Sequence, residues 1–101
     1  MMKYNVIVRD EAWEMWNKHL EFATKVSKKF AQGLHNNLMK ALKILEDNPN
    51  QFPLWISDFD LEVKYRRIIV KKRYLVIYYV DGNDVFVDYL FDTRMESGKY
   101  I

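Results

Sequence analysis

The sequence predicts an α+β fold in which one strand is followed by an antiparallel helical hairpin and then by three antiparallel strands (β-α-α-β-β-β). Residues 4–8 are short and β-branched, which is typical of a strand. Apolar residues then recur at spacings of three and four up to about Asn48, which indicates helices. Runs of β-favouring residues separated by turn residues follow. A chain of 101 residues can build one core, so we expect residues 1–101 to form a single domain.

The two helices are predicted from their ends and their apolar faces. Asp10 is the expected N-cap of the first helix, which runs to about Val26, and Ser27 is the expected N-cap of the second. Pro49 disfavours helical geometry in the residue before it, so the second helix should end near Asn48. The apolar face of the first helix consists of Ala12, Trp16, His19, Ala23 and Val26. The apolar face of the second consists of Phe30, Leu34, Leu38, Ala41, Leu42 and Leu45.

Three strands are predicted at about residues 62–70, 74–80 and 85–91, with turns at the sequences KKR and DGND. The Asp81-Gly82 pair tolerates positive φ and therefore favours a hairpin. Strict alternation divides the last strand into two faces. The helix side is expected to hold Val85, Val87, Tyr89 and Phe91, and the open side Phe86, Asp88, Leu90 and Asp92.

The central strand is apolar on both faces, although one helical hairpin covers only one side of a sheet. The helix side is expected to hold Tyr74, Val76, Tyr78 and Val80, which leaves a strip of Leu75, Ile77 and Tyr79 on the far side. Two interpretations remain open: either the 48–62 loop and the C-terminal tail shield this strip, or a partner binds it.

Positive charge is concentrated locally, because the net charge is only +2. Six cations fall within ten residues: Lys64, Arg66, Arg67, Lys71, Lys72 and Arg73. We interpret them as one basic ridge for binding nucleic acid or another anionic target. The alternative is a strand edge charged against aggregation.

Several classes of function are disfavoured by composition. Without cysteine the chain has no disulfide or thiolate metal site, which fits a reducing cytoplasm. We see no secretory signal, no apolar run of membrane-spanning length and no cofactor motif, so we expect no membrane partner and no cofactor. His19 and His35 lack a surrounding ligand pattern, and no metal is expected. Asp88 and Asp92 are interpreted as a solvated strand face rather than as a carboxylate pair.

Two segments resemble a known family. ILEDNPNQFP and KYRRIIVKKRYLVIYYVDGNDVFVDYLFDTR are similar to the RelE/ParE superfamily of toxins from bacterial type II toxin–antitoxin systems. The resemblance implies a helical hairpin on an antiparallel sheet and an antitoxin as partner. RelE-like members cleave ribosome-bound mRNA without metal, whereas ParE-like members poison DNA gyrase.

The RelE-like catalytic pattern carries over in part. The resemblance places its positions on Arg66, Arg94 and Tyr100, but Ile68 and Leu75 stand where that pattern has cations. We therefore favour the ParE-like, non-nuclease branch. The alternatives are a ribosome-dependent mRNA endonuclease and a basic binding module without toxicity. The strip of Leu75, Ile77 and Tyr79 is the predicted site for an acidic, amphipathic antitoxin segment.

Overall fold

The computed structural model of the chain describes residues 3–55 and 64–93. These residues form two helices and four strands in the predicted order, so the predicted α+β fold is confirmed. β2 begins at Arg66, later than the predicted start near residue 62, and residues 62–63 lie outside the described ranges. The elements are β1 (Asn5–Val8), α1 (Asp10–Val26), α2 (Lys28–Asp47), a 3-10 turn (Pro49–Gln51), β2 (Arg66–Val70), β3 (Tyr74–Asp81) and β4 (Asp84–Asp92).

The four strands form one sheet in the order β1-β4-β3-β2. The last three strands make the predicted antiparallel meander, and β1 joins the far edge parallel to β4. Parallel neighbours need a long crossover connection. Here the helical hairpin, β2 and β3 lie between β1 and β4 in the sequence, and the hairpin carries the chain from one edge of the sheet to the other.

The helix ends follow local chemistry. Ser27 is extended at φ −168° and ends α1, and its Oγ accepts a hydrogen bond from Phe30 N at 3.2 Å. The predicted cap of α2 is therefore confirmed. At α1 the prediction was one residue late, because Arg9 is the N-cap and Asp10 already belongs to the first turn. There its carboxylate is favoured by the positive end of the helix dipole.

The main core lies between the helical hairpin and one face of the sheet. Leu34, Leu38 and Leu45 of α2 are buried there with Tyr74, Val76, Tyr78, Val85 and Val87 of the sheet. From α1, Ala12, Trp16 and Ala23 are buried as predicted, whereas Val26 is 68% exposed. Neither helix within the described ranges combines the length and the apolar character needed to cross a membrane.

A β-bulge in β4 changes the predicted faces. Ile77 pairs with Tyr89 but the next residue, Tyr78, pairs with Val87, so Asp88 has no partner opposite it. An extra residue in one strand reverses the alternation beyond it. Val85 and Val87 lie on the helix side as predicted. The assignments beyond the bulge were wrong: Leu90 belongs to the main core, and Tyr89 and Phe91 pack on the far side of the sheet.

Candidate functional surfaces of the sheet and the helical hairpin

The far side of the sheet is covered by aromatic side chains. Leu75 and Ile77 lie on this side as predicted, but they are only 4% and 0% exposed. They form a second buried cluster with Phe91, against which further aromatic rings pack. We call these rings the ring layer: Trp55, Tyr65, Tyr79, Phe86, Tyr89 and Phe91.

Neighbouring rings of this layer are in direct contact. The centroids of Tyr65 and Tyr79 are 5.6 Å apart with the ring planes at 87°, and Tyr79 stacks on Phe86 at 5.1 Å. Such edge-to-face and offset pairs are favoured by the ring quadrupoles. Of the predicted antitoxin strip only Tyr79 is partly exposed. A partner approaching this face would therefore meet rings rather than Leu75 or Ile77.

A polar network crosses the ring layer at the bulge. Asp88 accepts hydrogen bonds from Arg9 Nε at 3.1 Å and from the Tyr65 hydroxyl at 2.7 Å. Arg9 also donates from its second terminal nitrogen to the Tyr79 hydroxyl at 2.8 Å. The bond to Tyr79 raises the pKa of Arg9. Burial, reinforced by the bond to Asp88, raises the pKa of Tyr65.

Sequence reasoning did not single out Arg9 or Tyr65. Arg9 is an isolated cation at the β1–α1 junction, 79 positions before Asp88, and nothing in its local pattern marks it. Arg9 joins this network through its hydrogen bond to Asp88, the bulge residue that has no partner opposite it in β3. Alternation alone had placed Asp88 and Asp92 on one solvated face, and that prediction was wrong because the bulge separates them.

Asp92 lies on the helix side and is almost completely buried at 1% exposure. Arg73 neutralises it: Arg73 Nε lies 3.0 Å from both carboxylate oxygens. The bond to Asp92 raises the pKa of Arg73. Arg73, predicted as a target-binding residue, thus has a structural partner within the chain.

The cations of residues 64–73 point to different sides. Arg66 is the first residue of β2 and lies on the helix side of the sheet, opposite Tyr78. Its guanidinium donates to the Phe52 carbonyl at 2.6 Å. Arg67 is opposite Ile77 in the register, and β-strand alternation puts it on the ring-layer side. Lys64 and Lys72 are exposed. The single basic ridge expected from the sequence is therefore divided, and target binding by these residues stays a prediction.

The β2–β3 turn has an unusual backbone. Lys71 and Lys72 have φ of 54° and 58°, and Arg73 N bonds to the Val70 carbonyl at 3.2 Å. Two central residues with positive φ are typical of hairpin turns that favour Asn-Gly. The Lys71 ammonium lies 5.5 Å from the centroid of the Phe30 ring, so its side chain is directed toward α2.

A second apolar surface lies beside β1 and the helical hairpin, away from the predicted strip. We call it the hairpin groove, a cavity of about 560 Å³ between β1 and the two helices. Trp13 and Met39, which are 40% and 47% exposed, lie at its surface. Its lining comprises Val6, Val8, Trp13, Met39, Lys40, Leu42, Lys43 and Glu46.

The outer edge of β1 borders this groove. Asn5 N and Arg9 N donate to carbonyls at the β4 edge, those of Asn83 and Val87. In a parallel pair of strands, every second residue of one strand forms its backbone hydrogen bonds with the neighbouring strand. The backbone groups of Val6 and Val8 therefore point away from β4, toward the side on which the described residues place no further strand.

Of the RelE-like catalytic pattern, only the positions of Arg66, Ile68 and Leu75 lie within the described residues. Arg94 and Tyr100 lie outside the described ranges. Ile68 is buried in the main core and Leu75 in the cluster on the other side of the sheet. No group of three or more histidine or acidic side chains within residues 3–55 and 64–93 is arranged to hold a metal ion.

Comparison with known proteins gives a likeness of fold. No protein-family model and no curated protein matches the chain. Among solved structures, the chain is similar to one described as the chromosomal ParDE TA system from P. aeruginosa, with a TM-score of 0.68 and 10% sequence identity. The match covers 88% of this chain and 95% of that chain. The likeness extends over nearly the whole length of both chains and shows a shared fold.

Proposed function

We propose that this chain, which has a ParE/RelE-like toxin fold, is the toxin of a bacterial type II toxin–antitoxin system and acts in the cytoplasm. The fold likeness to a chain of a ParDE system carries the proposal. The sequence motifs that resemble the same superfamily, among them the segment ILEDNPNQFP, also support it. An antitoxin would keep the chain inactive, and release from the antitoxin would inhibit growth.

For the activity we propose the ParE-like branch, whose implied target is DNA gyrase. Cleavage of RNA would need a base, an acid and groups that stabilise the charge developing on phosphate. Ile68 and Leu75 are buried and apolar. Arg73 is occupied by Asp92 and Arg66 by a backbone carbonyl. At these positions the described residues thus offer few cations to stabilise charge on phosphate, which supports a toxin that is not a nuclease.

For the antitoxin we propose docking in the hairpin groove. The groove offers exposed apolar anchors in Trp13 and Met39, two lysines at its rim, and backbone groups of β1 that could pair with an added strand. An acidic, amphipathic segment matches this combination. The ring layer, which contains the predicted residue Tyr79, is the competing surface.

Expression of the chain alone tests the activity. We expect growth arrest with intact mRNA, together with inhibition of gyrase supercoiling by the purified chain. Codon-positioned mRNA cuts that disappear in Arg94→Ala and Tyr100→Phe would instead establish the RelE-like endonuclease. Normal growth with neither effect would leave only a non-toxic binding module.

A pair of matched substitutions tests the antitoxin surface. The binding partner is the small acidic protein that we expect to be encoded beside the gene. Met39→Glu in the groove should weaken its binding at least tenfold, whereas Tyr79→Glu in the ring layer should leave it within about twofold, because apolar anchors dominate interface energetics. The reverse result would place the antitoxin on the sheet. Circular dichroism of both variants controls for folding.

A further inference from the structure

We infer that four lysines from two distant segments form a surface that binds the phosphate backbone of duplex DNA. Lys28 and Lys29 begin α2, and Lys71 and Lys72 form the β2–β3 turn. We call these four residues the lysine surface. The inference goes beyond the proposed toxin function and does not depend on it.

Contacts to Phe30 and Gly33 bring the two segments together. The Lys71 ammonium lies 5.5 Å from the centroid of the Phe30 ring, and Phe30 directly follows Lys29 in α2. One turn further, the same ammonium lies 3.1 Å from the point where a Cβ on Gly33 would be. The Lys71 side chain therefore lies along the beginning of α2, beside the segment that carries the other pair of lysines.

The charge of the lysine surface is uncompensated within the described ranges. The ion pairs there join acidic residues to Lys3, Arg9 and Arg73, and none includes the four lysines. Asp92, which approaches the turn, is bound by Arg73. The first turn of α2 also contains no acidic residue, although the positive end of a helix dipole favours acids and disfavours lysines.

Local structure accommodates these lysines against ordinary preference. Lys71 and Lys72 both have a positive, left-handed φ. Residues other than Gly and Asn adopt this backbone conformation at a cost in free energy. Gly33 lies within α2, where glycine weakens a helix, and a side chain there would crowd the Lys71 ammonium. Departures from local rules of this kind are expected where function requires them.

The chemistry of the lysine surface fits a nucleic-acid backbone better than a protein. Phe30 is half-buried and has Lys71 and Arg73 near its ring at 5.5 and 6.0 Å, so it offers a partner little apolar area. The hot spots of protein–protein interfaces depend on large side chains that become buried against the partner. Single strands need exposed rings on which bases stack, and the ring layer lies on the other side of the sheet. Lysine ammonium groups bind phosphate as point charges. Such contacts to the backbone do not require recognition of the base sequence.

Binding to a labelled DNA duplex of about two helical turns, followed by fluorescence anisotropy over a series of salt concentrations, tests the inference. If the four lysines contact phosphates, the logarithm of the affinity should fall with the logarithm of salt with a slope of about −3.6. Lys28→Gln/Lys29→Gln should reduce the magnitude of that slope by about 1.8 and weaken binding at low salt at least tenfold. Lys72→Gln alone should reduce it by about 0.9.

Lys40→Gln/Lys43→Gln is the matched control, because it removes the same charge from the same helix near its other end. It should leave the slope and the affinity nearly unchanged. Equal losses in the two double variants would overturn the inference, since only net charge would then matter. No binding to the duplex at low salt, or binding only to a matched RNA duplex, to phosphatidylglycerol vesicles or to polyglutamate, would overturn it as well. Supercoiling assays contain duplex DNA, so the gyrase inhibition expected of the toxin is also measured with Lys28→Gln/Lys29→Gln, in which it should persist.

Discussion

Arg73, in the turn before β3, forms an ion pair with the buried carboxylate of Asp92 at the end of β4, and Arg73 Nη2 lies 2.8 Å from Asp92 Oδ2. The carboxylate lies on the helix side of the sheet only because the bulge at Asp88 reverses the alternation of β4. Burying a charge is costly unless a partner with good geometry compensates the lost hydration. Arg73 supplies that partner with three hydrogen bonds.

Removing Arg73 should therefore destabilise the fold strongly. Arg73→Ala removes three hydrogen bonds and a positive charge from beside the buried Asp92 carboxylate, and we expect the free energy of unfolding to fall by about 3–5 kcal/mol. Lys72→Ala changes the exposed neighbour and should cost less than about 0.5 kcal/mol. Urea denaturation of both variants measures the difference. Equal stability of the two would show that Asp92 does not rely on Arg73.

Two adjacent residues of α2 test the position of the main core. Leu38 is 1% exposed and Met39 is 47% exposed. Leu38→Ala should lower the free energy of unfolding by about 2–5 kcal/mol, because it removes buried methyl groups and leaves a cavity. Met39→Ala should change it by less than about 1 kcal/mol. A larger loss for Met39 in thermal or urea unfolding would mean that α2 is rotated about its axis.

Asp88 should contribute to stability through its two partners. Asp88→Ala leaves the part-buried Tyr65 hydroxyl without its acceptor, for which we expect a loss of about 1–3 kcal/mol. Asp81→Ala, at the exposed end of β3, is the control and should be nearly neutral. The same urea titration compares them, and a neutral Asp88→Ala would show that the network is not needed to hold the bulge.

Stability should fall at alkaline pH because of a buried tyrosine. Burial raises the pKa of Tyr78 to about 12, while its hydroxyl donates to the Pro49 carbonyl. In the unfolded chain a tyrosine loses its proton near pH 10. Between these values the folded state binds more protons than the unfolded state, so the free energy of unfolding decreases as the pH rises.

In Tyr78→Phe residue 78 cannot ionise. The free energy of unfolding of this variant should therefore fall less steeply with pH over the same range, and the difference in slope should correspond to about one proton. Urea titrations at intervals from about pH 9 to pH 12 measure this slope. Parallel curves for the two proteins would show that Tyr78 ionises at an ordinary pH in the folded state.

Local chemistry made much of the fold predictable. The helix spacing, the Ser27 cap, Pro49 after α2 and the Asp81-Gly82 turn are all read from neighbours in sequence, and each lies where it was predicted. The family-like motifs pointed to the same fold as the structural comparison. The strand faces were also correct up to the bulge, because alternation is a local property of an extended chain.

Beyond the bulge, and wherever distant segments meet, the tertiary structure decided the outcome. One extra residue at Asp88 exchanged the sides of the following residues, which buried Asp92 and placed Tyr89 in the ring layer. Sequence proximity suggested one basic ridge, but Arg66 and Arg73 found partners inside the fold, while Lys71 was brought beside Lys28 and Lys29. The sequence by itself determined which segments are helix, strand and turn, because propensity, capping and periodicity act between near neighbours. Strand register and packing join residues far apart in the chain, and they alone decided which charges are neutralised and which remain at the surface.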